Sequence, residues 1–337
     1  MGPRGIRIAA LTGAIVAGAL CMSLAQDSSE AAPVRDPSAW GGDHVGKPLP
    51  RFEDGNSCLF CHRTTIGPSW QTNRHATTVR PAAADKAAQE ALAGSDQLKA
   101  GDVEFVLGRN RALRFLKSSR EYGKLAIAVE ESGADEEGTG RAAWDTETFG
   151  ARCAGCHASA VETSSRTFQT VSLDCHTCHG VAEIEHTEDA ALMLLSASSR
   201  TAPVVEISIC GQCHLRGGKS RSSGLPYPNQ FVPGDNLFRD FEVDLSDRAL
   251  ALAGALERHI LENTRDVAVY GRKDMTCTSC HAIHEQSSAR HSTLPKRPLC
   301  FTCHFESRPL SEVRELNAHS DTCGYGWDRN STRESLR

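Results

Sequence analysis

The chain has 337 residues, the length of one large domain or two modest ones, and carries 14 cysteines and 14 histidines. Its 39% hydrophobic and 6% aromatic content is thin for a side-chain core at that length, so something other than side chains is expected to fill the interior. A formal charge of −5, with Lys and Arg scattered, excludes a nucleic-acid groove as the organising feature.

In chain order, Arg4 and Arg7 form a basic start and an apolar run follows from Ile8 to Leu24. The small residues of "SLA" predict signal cleavage near Ala25 and therefore an exported protein, with residues 1–25 as signal peptide. An uncleaved anchor is the competing reading. A lipoprotein through Cys21 is disfavoured by Leu20, where a small residue is wanted. No later stretch reaches membrane-spanning length, so the mature protein is expected to be soluble. Residues 26–50, rich in Ser, Pro, Gly and Asp, read as a flexible leader.

After "CLFCH", residues 80–150 hold no further motif of this kind. That insert opens with the helix-like "AAADKAAQEALA". Three short apolar runs then predict a small antiparallel sheet around 103–130. The acidic, glycine-rich "SGADEEGTG" reads as a loop. Further on, "LSDRALALAGALERHILENT" predicts one helix with Leu250, Ala253, Gly254 and Leu261 on a shared face. Residues 321–337, including Cys323, are expected to be a disordered tail.

The repeated motif decides the class. Cys-x-x-Cys-His occurs six times: Cys58/Cys61/His62, Cys153/Cys156/His157, Cys175/Cys178/His179, Cys210/Cys213/His214, Cys277/Cys280/His281 and Cys300/Cys303/His304. This spacing is the c-type haem attachment signature. Two thiols three positions apart reach the two vinyl groups of one haem, and the following histidine supplies the proximal nitrogen of its iron. Structural zinc needs four ligands per metal and no histidine directly after the second cysteine. A disulfide framework gives no reason for histidine at one offset six times. Six covalent haem c groups are therefore expected, and they would replace the missing aromatic interior. The first cysteines at 153 and 175, and at 277 and 300, lie at nearly matching separations, which suggests a repeated two-haem unit.

The motif array resembles the multihaem c-type cytochromes, in particular the nitrification-type tetrahaem cytochromes and their relatives with doubled motifs. The resemblance spans roughly residues 56–305. Its marks are "CLFCHRTTIGPSWQTNRH", "CHTCHGVAEIEH", "CGQCHLRGG" followed by "FVPGDNLF", "MTCTSCHAIH" and "RPLCFTCH". It implies a mainly α, loop-rich, haem-packed multihaem cytochrome c fold over residues 51–320, with most irons carrying two axial histidines. It also implies distal ligands: His75 in "WQTNRH" and His186 in "CHGVAEIEH" match such positions, and His284 three residues past a proximal histidine tends toward a neighbouring haem.

His259 on the predicted helix, His291 before the last motif and His319 beyond it complete the expected ligand set. For each, the competing role is a solvated or propionate-bonding histidine. His44 and His176 are left outside the set, His176 because it sits between the two cysteines of its own motif. Met193 and Met275 are possible thioether ligands that the histidine count does not require. The expected function is single-electron relay through stacked, mostly bis-histidine haems. The donor would be quinol-linked or a small cytochrome, and the acceptor a reductase or an external one, with assembly into a membrane-associated complex possible. Two alternatives are an oxidoreductase acting on a small nitrogen or sulfur compound at one open haem, and a structural subunit of a cytochrome wire or membrane complex.

Overall fold

The computed structural model describes residues 44–45, 47–109, 112–129, 142–182, 184–196, 201–273, 276–279, 281 and 283–284. Outside them lie the signal region, most of the leader, the acidic loop, Met275, Cys280, His291, His319 and the tail. The whole sixth motif, Cys300, Cys303 and His304, also lies outside the described residues.

Helix α1 (Gly55–His62) starts where the Asp54 carboxylate accepts from the Asn56 N–H at 3.0 Å. A short helix α2 (Gly67–Trp70) buries Trp70. Strand β1 (Val79–Pro81) leads into a 3₁₀ turn and α3 (Lys86–Ala93). Asp85 caps α3 by accepting from the Ala88 N–H at 2.9 Å, and its apolar face carries Ala88 and Leu92. Strands β2 (Phe105–Leu107), β3 (Arg114–Ser118), β4 (Leu125–Val129) and β5 (Ala143–Asp145) complete an antiparallel meander in the order β1-β2-β3-β4-β5.

The sheet is larger than the apolar runs imply. The three runs form β2, β3 and β4, while "VRP" and "AWD" are too short and polar to stand out and are recruited by pairing. Val79 lies opposite Leu107, and Ile127 opposite Asp145. The two-residue side-chain period gives the sheet two buried faces. Val106 and Phe115 face α3, whereas Leu107, Leu116 and Ile127 face Phe149, Ala154 and Phe168. The second face thus backs onto the segment that carries motif 2.

That segment is one continuous helical stretch with a π turn in its middle. It comprises α4 (Thr146–Thr148), the π turn Phe149–Cys153 and α5 (Ala154–His157). Single π turns inside helices often mark functional positions, and here the turn ends on the first cysteine of motif 2. A two-stranded ribbon of β6 (Ala158–Ser159) and β7 (Thr170–Val171) then leads to α6 (His176–His179). Helix α7 (Pro203–His214) begins with proline at its first position, where no N–H is needed, and buries Val205, Ile207 and Ile209.

Strands β8 (Lys219–Ser220) and β9 (Phe241–Glu242) pair ahead of the C-terminal helices. The single helix expected over residues 245–264 is two: α8 (Asp247–Leu252) and α9 (Ala255–Ala268), broken at Ala253 and Gly254. Gly254 is extended and caps α9. Arg258 satisfies carbonyls freed by the break, donating to Leu250 at 2.9 Å and Ala253 at 3.2 Å. Leu250 and Leu261 still share one apolar cluster across it. Among the described residues, no helix is long and apolar enough to cross a membrane.

Candidate metal centres

Four of the motifs end a helix: His62 closes α1, His157 α5, His179 α6 and His214 α7. Positions i, i+3 and i+4 span about 100° of a helix surface, so in α1 and α7, which contain all three residues, the two thiols and the imidazole leave from neighbouring positions. In motif 5, a 3₁₀ turn at Cys277–Ser279 brings the His281 N–H to the Cys277 carbonyl at 2.9 Å.

The described motif thiols differ in exposure. Cys61 is exposed, whereas Cys58, Cys153, Cys156, Cys175, Cys178, Cys210, Cys213 and Cys277 are each partly buried. The cause is the orientation of α1. Its stripe of Gly55, Cys58, Leu59 and His62 turns inward, with Gly55 against Asp174 and Cys175. Cys61, at about 100° per residue, falls on the flank of that stripe beside the exposed Phe60. Motif 1 therefore lies at the rim of the motif cluster, with its second thiol toward solvent. Cys280 and Cys303, the second thiols of motifs 5 and 6, lie outside the described residues, as do Cys300 and His304.

The imidazoles meet in twos. His62 and His186 have ring centres 6.3 Å apart, His75 and His214 6.2 Å, and His179 and His284 5.7 Å. Each pair joins one motif histidine to one outside the motifs. Bonds of about 2.0 Å from one metal to two opposed imidazoles, plus about 1 Å from nitrogen to ring centre, put the centres about 6 Å apart. The spacing therefore suits a metal held between two rings. Zinc needs donors converging on a point, and among the described residues no three His, Cys, Asp or Glu side chains do so. The donor set, two thiols and a histidine in each motif with a second imidazole beside three of those histidines, fits a c-type haem.

Protonation agrees. A metal-binding imidazole must be neutral, and burial lowers the pKa of His75, His179, His214 and His284. Burial pushes His157 down to about 4, helped by Arg216. The Nδ1–H of His179 donates to the Leu194 carbonyl at 2.6 Å, which fixes the tautomer and leaves Nε2 free as the donor atom.

Other expected residues are placed as follows. His259 on α9 has Nδ1 3.2 Å from the Asn263 amide nitrogen. His281 is described but stands in none of the three ring pairs. His176 is buried with Nε2 unpartnered, lies edge-on to Phe52 at 5.1 Å, and is pushed down to about 4 by burial. His44 donates through Nδ1 to the Asp235 carboxylate at 2.9 Å, so this part of the leader is packed rather than free.

Residues that no motif announced hold the imidazoles in place. Buried Asn73 accepts from the His75 N–H at 2.8 Å and donates to the Ile283 carbonyl at 2.6 Å, tying His75 and His284 to one amide. Trp70 lies edge-on to His284 at 6.3 Å. Glu206 of α7 accepts from Thr278 N and Oγ1 at 2.7 and 2.8 Å, which anchors motif 5. "NRH" and "PVVE" carry no pattern that marks these roles.

Different motifs also meet. Cys213 Sγ lies 3.6 Å from the Gly155 carbonyl, Cys156 Sγ lies 3.9 Å from the Gln212 and Cys213 carbonyls, and Gly55 packs against Asp174 and Cys175. Motifs 2 and 3 are adjacent as well: the Ser172 N–H donates to the His157 carbonyl at 2.9 Å, and Ser159 Oγ lies 2.7 Å from Thr177 Oγ1.

No protein-family model matches the chain, and no curated protein does. Two solved structures are similar to it. The outer cell wall cytochrome OcwA is 20% identical with a TM-score of 0.44, covering 79% of this chain and 67% of its own. The undecahaem cytochrome from the S-layer of Carboxydothermus ferrireducens is 17% identical with a TM-score of 0.41, covering 78% of this chain and 44% of its own. The haem reading rests on this chain's own motifs and ring pairs.

Proposed function

We propose that the chain is an exported electron-relay protein that attaches six haems through its six motifs. The observation that carries this reading is the set of imidazole pairs 5.7–6.3 Å apart, each made of one motif histidine and one remote histidine. In this reading His186 faces His62, His75 faces His214 and His284 faces His179 across three of the haems. His157, His281 and His304 are the proximal ligands of the other three, and His259, His291 and His319 are available for their far faces. Each haem, when bound, supplies a single-electron change at its iron. The chain's part is to hold the rings rigid, keep the imidazoles neutral and exclude water, so that little reorganises when charge moves. Its partners would be a quinol-linked or small-cytochrome donor and a reductase or external acceptor. Two axial imidazoles close an iron to substrate, which favours relay over chemistry at an open haem for these three centres.

The test is the holoprotein purified from a host that attaches haem c. Pyridine haemochrome should count six haems per chain, and low-temperature EPR should show low-spin ferric iron. His186→Ala, His75→Ala and His284→Ala should each convert one low-spin centre to high spin. N-terminal sequencing should begin at Gln26. A chain that purifies without covalent haem, or with zinc removable by chelator, would overturn the reading.

A further inference from the structure

The segment after motif 3 folds back onto it through a turn. The Ser196 N–H donates to the Met193 carbonyl at 3.3 Å, which closes a β-turn over Met193–Ser196. Of its two central residues only the second, Leu195, has a positive φ, +60°. That order of signs is the type II turn, which ordinarily takes glycine at this place. A side chain there crowds its own backbone, and a bulky residue rarely adopts the conformation.

In a type II turn the central peptide is turned over relative to the commoner type I. Here that peptide joins Leu194 to Leu195, and both of its polar atoms are engaged. The Leu194 carbonyl accepts from the His179 Nδ1–H at 2.6 Å, and the Leu195 N–H donates to Thr201 Oγ1 at 3.1 Å. Packing accounts for the leucines. Leu194 is 2% exposed and clusters with Val205 and Ile209 of α7, and Leu195 and Cys178 of motif 3 pack against the same cluster. Ser196 Oγ donates to the Ala190 carbonyl at 2.6 Å and holds the far end of the turn. Glycine at 195 would relieve the backbone but forfeit a side chain that seats the turn on motif 3.

We infer that this turn is a positioning device for His179, in which Leu195 and Thr201 hold the Leu194 carbonyl on Nδ1 and thereby lower the reduction potential of the haem of motif 3. This rests on the relay reading above. An imidazole that gives its Nδ1–H to a carbonyl is a stronger donor through Nε2. A stronger donor favours the more highly charged, ferric iron, and hydrogen bonding behind the ligand is one of the protein's levers on haem potential. The acceptor is backbone, so the contact is lost by flipping one peptide. The type I form of the same four residues would carry the Leu194 carbonyl away from His179 and relieve Leu195. The Thr201 hydroxyl and the buried Leu194 side chain oppose that flip. Held in this way, the haem of motif 3 passes an electron on more readily than it keeps one.

The test compares holoproteins carrying Thr201→Val, which keeps the side-chain shape without the hydroxyl, and Thr201→Ser, which keeps the hydroxyl. Redox titration followed by low-temperature EPR reads each low-spin centre, and the motif 3 centre is the one that His284→Ala converts to high spin. Thr201→Val should shift the reduction equilibrium of that centre toward ferrous iron by about tenfold, or about 59 mV for one electron. Thr201→Ser should restore the parent value. A Thr201→Val protein with all six haems attached and that potential unmoved, or with every centre moved equally, would overturn the inference and leave the relay standing. If Thr201→Val does not fold, the unmodified and fully reduced holoprotein decides, since its low-spin haems are diamagnetic. With nitrogen-labelled histidine, the His179 Nδ1–H should resist exchange in deuterated water, and a proton lost on mixing would overturn the inference. A chain that purifies without covalent haem would overturn both readings.

Discussion

Gly155 is the second residue between the cysteines of motif 2, and the structure gives it no room for a side chain. A Cβ there would lie 2.2 Å from Tyr227 Cγ, 2.4 Å from Cδ2 and 2.5 Å from Cβ. Carbon atoms in good contact sit about 3.5–4.0 Å apart, so the ring would have to withdraw by more than about 1 Å. Tyr227 is 2% exposed, and its hydroxyl donates to the Gly150 carbonyl within the π turn. Moving the ring therefore strains the core and breaks that bond together. Overpacking costs about 1–3 kcal/mol, and stranding a buried polar partner adds about 1–3 kcal/mol. The better helix propensity of alanine returns less than about 1 kcal/mol. Gly155→Ala should thus destabilise the holoprotein by about 2–5 kcal/mol and disturb motif 2 before the others. Denaturant unfolding followed by far-UV circular dichroism and the Soret band reads the loss. The same substitution in a Tyr227→Ala background isolates its origin: with the ring gone, Gly155→Ala should cost less than about 1 kcal/mol. If Gly155→Ala alone shifts stability by less than about 0.5 kcal/mol, the packing argument around motif 2 is wrong.

Three further outcomes are expected. Asn73→Ala should alter the low-spin EPR signals of two centres at once, those of the His75 and His284 pairs, because one amide holds both segments; a change in one signal alone would refute the shared clamp. Burial pushes the Asp174 carboxyl up to about 6 from its ordinary 3.8, so the folded chain keeps a proton there that the unfolded chain has lost. This contribution is full below about pH 4 and fades as pH rises through about 6, a swing of about 3 kcal/mol by linkage. Asp174→Asn should therefore gain on the parent in denaturant midpoint as pH rises from about 4 to about 7, and parallel curves would remove the claim. Asp235→Ala strips the partner from His44 and from the Val232 N–H, which it holds at 3.1 Å. It should lower stability by about 1–3 kcal/mol, read as a lower melting temperature, and Asp235→Asn should lose less.

Attachment chemistry was legible because it is local: two thiols and an imidazole at offsets 0, 3 and 4 need only one helical turn to converge. What the offsets could not reveal is which way that turn faces, and so Cys61 is exposed while Cys178, at the same place in its own motif, is partly buried. The middle of the sheet was legible for a similar reason, since apolar runs such as "FVL" and "LAIAV" form strands that any partner would accept. The break between α8 and α9 was not, because alanine-rich sequence runs through it and Gly254 acts as a cap only once Arg258 reaches back to the carbonyls before it.

Imidazole pairing was only partly legible: the resemblance pointed His284 toward a neighbouring motif but named no partner for any of the three. His75 follows His62 by 13 residues yet faces His214; His186 follows His179 by seven yet faces His62; His284 follows His281 by three yet faces His179. Each of these remote histidines stands beside a motif histidine other than the one nearest it in sequence, because the intervening chain folds its segment against another motif. That exchange ties the motifs into one unit. Asn73 and Glu206 then carry the weight that periodicity cannot reveal, because each is an ordinary polar residue until the segments it joins, 210 and 72 positions away, are brought beside it.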